Sequence, residues 1–271
     1  MAMVDGNLTA NSQTSQGGSS SRVFNRGYWG FASVPLLEPS AIERMSRKAK
    51  DNAEAMCGFG EKPKLDLPLG QYVGEHDYNG KPPMPSQEAI ELLQDLDAFC
   101  KREFPDTKSA TFFLQQERHA KQYATSNGSE GLNSINRAAC YLTLTGEDQH
   151  GKPIEVVHYI SNKGNLADLD LTLPKLETEL RTLHDHLQAK RFAVHARGGK
   201  QTVVLSPELA GMLAHEAMGH PCEADLVIGG AVTGNLVGRQ IASELITMVD
   251  FAHTYDGEEL MITEAFDPDA N

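Results

Sequence analysis

The chain has 271 residues, 40% hydrophobic and 23% charged, so it is long enough to bury one large or two small hydrophobic cores. Its formal net charge of −13 argues against duplex nucleic acid or an anionic membrane as a partner. No stretch approaches the roughly 20 apolar residues that a transmembrane helix needs. The four cysteines are widely spaced without a Cys-x-x-Cys pair, which favours free thiols in a reducing, cytoplasmic compartment.

Composition separates the first two segments of the chain. Residues 1–21 are polar and rich in Ser, Gly, Gln and Asn, which predicts a disordered leader. Residues 22–85 are predicted to form a partial first α/β module and a linker. This segment contains an aromatic strand or hairpin over residues 22–34, then an amphipathic helix to about Met56. The Gly- and Pro-rich stretch 58–85 reads as an extended linker.

Residues 86–197 are predicted to be a central α+β module. Apolar residues at helical spacing predict one helix from Ser86 to about Phe104 and another from Leu173 to about Ala189. Between them, the hydrophobic pattern and turn residues predict an antiparallel meander of strands over residues 109–118, 119–126, 137–146 and 154–163. The fold class is therefore α+β, with antiparallel or mixed sheets and a few amphipathic helices.

Residues 198–271 are predicted to begin a second, β-rich module that carries a metal-binding helix. Short strands are expected over residues 192–194 and 202–205, around the Gly198-Gly199 turn. Ser206 then suits the N-cap of a helix, because its hydroxyl can accept from a backbone N–H of the first turn. The apolar residues of this helix recur at roughly helical spacing and form an apolar stripe: Leu209, Met212, Leu213 and Met218.

Two histidines and a carboxylate stand at the end of this helix. His215 and His220 are five residues apart, so an undistorted α-helix would place them roughly 140° from each other. A π-type wide turn or an unwound last turn would bring both imidazoles to one metal ion, and Gly219 and Pro221 favour such an irregularity. Glu216 would then be the general base on water. The alternative is a plain helix C-terminus whose last carbonyls interact with His220.

Three segments resemble motifs of the TldD/PmbA family of metallopeptidases, and they follow one another along the chain in the family's order. Residues 203–225 resemble the His-Glu-x-x-x-His helix of the family. Residues 27–33 resemble its N-terminal glycine-aromatic strand. Residues 127–131, Asn-Gly-Ser-Glu-Gly, resemble its central Asn-Ser-Glu-Gly turn with one glycine inserted.

The resemblance implies a zinc-dependent peptidase that hydrolyses small unfolded peptides as a homodimer or as a heterodimer with a paralogous subunit. In that reading His215 and His220 ligate zinc, and Glu216 activates the water. The family takes its third ligand from a cysteine later in the chain, so a polypeptide ending at Asn271 looks C-terminally truncated and is expected to bind metal weakly alone. Cys222 is interpreted as a neighbouring thiol.

A second hypothesis belongs to a different class of protein. The chain would then be a non-catalytic or truncated peptide-binding or partner subunit of a TldD-like dimer. The intact His-Glu-x-x-x-His sequence argues against a degenerate partner, whereas the missing third ligand argues for truncation.

Overall fold

The computed structural model describes residues 1–59, 73–223, 226–227, 230–249 and 254–259. It divides into two compact units, one made of residues 1–10 and 71–271 and the other of residues 11–70. In the described ranges, none of the helices is both long enough and apolar enough to cross a bilayer.

Ten strands and four α-helices make up the regular structure of the described residues. The strands are β1 (Ala2–Val4), β2 (Asn7–Ala10), β3 (Ser19–Asn25), β4 (Tyr28–Val34), β5 (Val73–Tyr78), β6 (Ser109–Ala124), β7 (Glu130–Glu147), β8 (Pro153–Lys163), β9 (Thr254–Tyr255) and β10 (Glu258–Glu259). The helices are α1 (Pro39–Met56), α2 (Ser86–Glu103), α3 (Leu173–Arg191) and α4 (Pro207–Ala214).

A six-stranded sheet is the frame of the larger unit. Its strand order is β2-β1-β6-β7-β5, and β8 also pairs with β7. Strands β6, β7 and β8 form an antiparallel meander, with Phe112 opposite Leu142 and Tyr141 opposite Tyr159. The two strands predicted over residues 109–118 and 119–126 are one strand, β6, which pairs with β7 along its whole length. Strand β5 runs parallel to β7, so the sheet is mixed. The α+β fold class is therefore confirmed.

Helices α2 and α3 cover one face of this sheet and close a single hydrophobic core. The leucines at helical spacing on α3 are all buried, as are the inward residues of α2 and of the central strands. Phe99 of α2, Phe112 of β6 and Leu142 of β7 are at most 1% exposed. Period 3.6 on the helices and period 2 on the strands direct these apolar side chains to one layer. Both predicted helices are confirmed.

Residues 2–4 and 7–10 form strands and residue 19 begins a third, so the prediction of a disordered leader over residues 1–21 is wrong for these residues. Strand β1 adds to the edge of β6, and Met3 is 1% exposed in the core. Asp5 and Gly6 have φ of 50° and 80°, as a type I′ hairpin between β1 and β2 requires. Composition did not predict strand β1, because this strand is held by backbone hydrogen bonds to β6, which lies far away in the chain.

In the smaller unit the β3–β4 hairpin packs on α1. The order of these elements, strands and then a helix, is the one that the sequence predicts. Gly30 lies on β4 against two alanines of α1, Ala49 and Ala53, which are fully buried. A Cβ at Gly30 would lie 2.0 Å from the carbonyl oxygen of Ala49. The close approach of strand and helix therefore depends on the absence of a side chain at this position.

Two other expectations are wrong. Residues 73–78 form β5 rather than part of a linker, whereas residues 60–72 of the predicted linker lie outside the described residues. The strands expected over 192–194 and 202–205 do not form, and Val204 is 94% exposed. A β-branched run needs a neighbouring strand to satisfy its backbone, and the described part of the chain offers none there. The predicted domain boundaries stay predictions.

Candidate metal centre

Helix α4 begins as the sequence predicts. Ser206 is the N-cap, and its hydroxyl oxygen accepts from the backbone N–H of Leu209 at 3.4 Å. Pro207 and Glu208 occupy the first turn of the helix. The backbone N–H that proline lacks would have no partner within the helix there, and the negative charge of Glu208 interacts favourably with the positive end of the helix dipole. The apolar stripe of this helix is not buried, because Leu209, Met212 and Leu213 are 48%, 61% and 54% exposed. The spacing of the apolar residues predicts which face of the helix is apolar, but not whether another element covers that face.

The helix changes its winding at the first histidine. Residues His215–Gly219 form a π-helix, and the backbone N–H of His220 donates to the carbonyl of His215. A bond from residue i+5 to residue i places the second histidine one turn above the first, which the α-helix cannot do. The wide turn that the five-residue spacing of the histidines predicts is therefore present in the structure.

Gly219 and Pro221 flank His220, at the end of the π-helix and in the 3-10 turn that follows. Gly219 has a φ of −59°, so its role is not an unusual backbone conformation. A Cβ at Gly219 would lie 3.6 Å from Nδ1 of His215, an ordinary contact distance, so the turn does not require glycine here for space. Pro221 lies in the 3-10 turn His220–Cys222, and its carbonyl accepts from the hydroxyl of the buried Thr233.

The two imidazoles converge with a carboxylate that the sequence analysis missed. The ring centroids of His215 and His220 are 5.6 Å apart, with 29° between their planes. Nδ1 of His220 is 2.9 Å from Oε1 of Glu223. One ligand atom from each of these three residues lies within 4.8 Å of the others, and all three residues are exposed. The spacing of three between His220 and Glu223, typical of helical neighbours, is the signal that could have found Glu223.

Two further residues of the motif lie beside this group. Glu216 follows His215 on the π-helix, is exposed to solvent and does not belong to the three-residue group. Cys222 is an exposed free thiol and does not belong to the three-residue group. The last two residues of the motif segment, 224 and 225, lie outside the described residues.

The donor set suits a zinc ion. Imidazole nitrogens are ordinary Zn²⁺ ligands, and a carboxylate bonded to the second ring nitrogen often orients a ligating histidine. Exposure of both histidines leaves the site accessible to water. The arrangement therefore defines a class of site, an open histidine–carboxylate centre on a π-turn.

Comparison with known proteins agrees with this class. Residues 198–269 match the PmbA/TldA metallopeptidase C-terminal domain. A metalloprotease of Methanothermobacter thermautotrophicus is 27% identical over 97% of this chain and 58% of its own length. A zinc metalloprotease TldD homologue of Saccharolobus solfataricus is 20% identical over 86% of this chain and 49% of its own. The chain is therefore similar to proteins of the TldD/PmbA family.

One solved structure resembles the fold. It is a protein from Bacteroides thetaiotaomicron, described as a modulator of DNA gyrase, with a TM-score of 0.62 and 15% identity. The match covers 83% of this chain and 51% of that one. This likeness shows a shared fold. The chain spans about half the length of the curated relatives that it matches.

Proposed function

We propose that the chain is a zinc-dependent peptidase of the TldD/PmbA type that hydrolyses small unfolded peptides. The observation that carries the proposal is the π-turn, which brings His215 and His220 to ring centroids 5.6 Å apart beside Glu216. A wide turn of this kind concentrates at functional sites. The relatives described as metalloproteases support the same reaction class.

Each residue of the centre has a distinct role in this proposal. His215 and His220 hold the metal. Glu223 accepts the Nδ1 proton of His220, which would leave Nε2 of that ring to ligate the metal and would fix the ring's orientation, as in many metal sites. Zinc supplies Lewis-acid chemistry that makes water nucleophilic near neutral pH. Glu216 accepts the water proton and passes it to the leaving amine.

Zinc analysis of purified variants tests the ligands. Wild type should hold one zinc per chain, and His215→Ala and His220→Ala should lose it. Glu216→Ala should keep zinc but lose peptide hydrolysis, because the general base is gone. His195→Ala is the matched control, since His195 is an exposed histidine outside the group, and it should keep both. Zinc that persists in both ligand variants would refute the site.

Substitution of Glu223 tests its positioning role. Glu223→Ala should weaken zinc binding about 10- to 100-fold, as loss of a carboxylate behind a ligating histidine does elsewhere. Glu223→Gln should restore most of the affinity, because its amide oxygen still accepts from Nδ1. Cys222→Ser is the control at the neighbouring position and should leave affinity unchanged. A chelator competition titration measures all three.

A second candidate function rests on the exposed stripe of α4. Three apolar side chains at 48% to 61% exposure on one helix are typical of a surface that a partner covers. The chain would then be a peptide-binding or partner subunit without catalysis of its own. Peptide affinity that persists in chelator, with no hydrolysis in any metal-loaded sample, would favour this role over the peptidase.

Assembly and location complete the proposal. We propose that the chain works as a homodimer, or as a heterodimer with a paralogous subunit, in the cytoplasm. The four free cysteines support a reducing compartment. Burial raises the pKa of the Cys100 and Cys140 thiols to about 12, so both are packing residues rather than reactive groups.

A further inference from the structure

One side chain is buried in the otherwise exposed segment around the π-turn. Among the described residues between 192 and 249, Thr233 alone is buried, at 8% exposure. It lies in the short 3-10 turn Val232–Asn235, where its neighbours Val232 and Gly234 are both exposed. A buried hydroxyl needs a hydrogen-bond partner, so burial of this residue indicates a specific contact rather than a general core.

The hydroxyl of Thr233 donates to the backbone carbonyl of Pro221, which is 12 residues earlier in the chain. Pro221 is the middle residue of the 3-10 turn His220–Cys222, and this turn directly follows the π-helix. Carbonyls in the last turn of a helix lack a partner within the helix, so a donor from another segment can satisfy them. The bond from Thr233 therefore ties the end of the metal-site helix to the segment that follows it.

Backbone contacts bring the chain back from Glu223 to Thr233. The N–H of Val227 donates to the carbonyl of Glu223 at 2.9 Å. A Cβ at Gly234 would lie 3.2 Å from Cγ1 of Val227, closer than side chains ordinarily approach, so glycine allows the segment to return there. The returning segment is thus held at both ends, by Val227 at its start and by Thr233 at its end.

The anchored carbonyl lies between the two residues whose contact orients the proposed ligand. Pro221 follows His220 directly, and Nδ1 of His220 is 2.9 Å from Oε1 of Glu223. The backbone N–H of Glu223 donates to the carbonyl of His220 at 3.1 Å, so the same turn determines where the Glu223 side chain begins. Because both residues are exposed, packing contributes little to their orientation, which depends on the backbone of the turn.

We propose that Thr233 is a positioning residue of the metal centre. Its hydroxyl holds the Pro221 carbonyl and thereby fixes the turn that orients His220 against Glu223. The inference rests on the zinc site of the proposed function. Without the hydroxyl the turn samples more conformations, so more conformational entropy is lost when zinc orders the site, and zinc binds more weakly.

Removal of the hydroxyl with little change in side-chain size tests the positioning role. Thr233→Val should lower the zinc affinity of the full chain about fivefold, as expected for one hydrogen bond, and Thr233→Ser should keep it near the wild-type value. Thr178→Val is the matched control, because the Thr178 hydroxyl also donates to a proline carbonyl, that of Pro174 on α3. This control should leave zinc affinity unchanged. Chelator competition measures the affinity of each protein.

Hydrogen exchange in the absence of metal gives a second measurement. The Glu223 amide closes the 3-10 turn, so its exchange should be about fivefold faster in Thr233→Val than in wild type. Thr233→Ser and Thr178→Val should exchange this amide at the wild-type rate. Amides of α3 should exchange equally in wild type and Thr233→Val, which would show that the fold is intact and that the effect is local.

The outcomes separate this inference from the proposed function. Wild-type zinc affinity in Thr233→Val, or a Thr233→Ser variant as weak as the valine variant, overturns the positioning role of Thr233. Faster exchange on α3 in Thr233→Val overturns it as well, because the hydroxyl would then support the whole fold. A wild-type chain that binds no zinc refutes the metal centre itself, and the inference then fails with it.

Discussion

Helices α3 and α4 carry the same kind of apolar stripe, and the structure treats them differently. On α3 the leucines at helical spacing are at most 4% exposed, because α2 and the sheet cover them. On α4 the corresponding side chains are 48% to 61% exposed. The comparison teaches that spacing determines which face of a helix is apolar, whereas burial depends on what the rest of the fold places against that face.

Shortening one leucine in each helix tests this difference in burial most directly. Leu180→Ala removes a fully buried side chain of α3 and should lower the free energy of unfolding by about 2–5 kcal/mol, through lost burial and a residual cavity. Leu213→Ala on α4 should cost less than about 0.5 kcal/mol. Guanidinium unfolding followed by far-UV circular dichroism measures both.

A large cost for Leu213→Ala would show that the α4 stripe is covered in solution, and the contrast between the helices would disappear. A concentration-dependent cost would identify that cover as another chain. Leu180→Ala at no cost would contradict the core described for the larger unit.

Zinc sharpens the comparison, because it should stabilise one region and leave the other unchanged. At a hundredfold excess over its dissociation constant, zinc should stabilise the π-turn against opening by about 2.7 kcal/mol. Hydrogen exchange of the His215–Gly219 amides should slow accordingly, and exchange on α3 should stay as it was. His220→Ala is the control in which zinc should have no effect. Equal protection on α3 would show that the two regions unfold together.

Much of the larger unit was predictable from the sequence, because its signals are local. Helix α2 begins at Ser86 and α3 at Leu173, where the apolar spacing placed them. Strands β1 and β5 were missed, since each is short and is held by a partner far away in the chain. The Asp5-Gly6 dipeptide was a hairpin signal within reach, but the polar composition around it outweighed it.

The candidate site shows the same division. The spacing of His215 and His220 required a wide turn, and the structure has one there. The sequence prediction named the two histidines and the base but not Glu223, although the contact of Glu223 with His220 follows ordinary helical spacing. Neither the metal role of these residues nor the catalytic role of Glu216 follows from spacing alone, and both remain proposals.

Two glycines extend the comparison to close packing. Gly30→Ala should destabilise the smaller unit by about 1–3 kcal/mol, because its Cβ would overlap α1. Gly211→Ala on α4 meets nothing within 4 Å and should instead favour the helix by up to about 1 kcal/mol. Fluorescence of Trp29, the single tryptophan of the chain, follows unfolding of the smaller unit. A stable Gly30→Ala variant would mean that β4 and α1 pack less closely than described.

The smallest effect concerns the C-terminal end of α3. Asp106 accepts from His184, Gln188 and Arg191 at 3.1, 2.7 and 2.9 Å. Partial burial would raise the pKa of this carboxyl, but the hydrogen bonds from His184 and Gln188 outweigh it and hold the pKa below the usual 3.8. The unfolded chain therefore binds this proton first as the pH falls, so the stabilisation is present above about pH 4 and is lost below it.

Asp106→Asn isolates that contribution. Wild type should be more stable than the variant at pH 7, by less than about 1 kcal/mol because the pair is largely exposed to solvent. The difference should shrink as the pH falls below 4, since protonated aspartate and asparagine are then both neutral. Urea unfolding at pH 7, 5, 4 and 3 measures it. A difference that stays constant over this range would assign the interaction to packing of α3 rather than to the charge of Asp106.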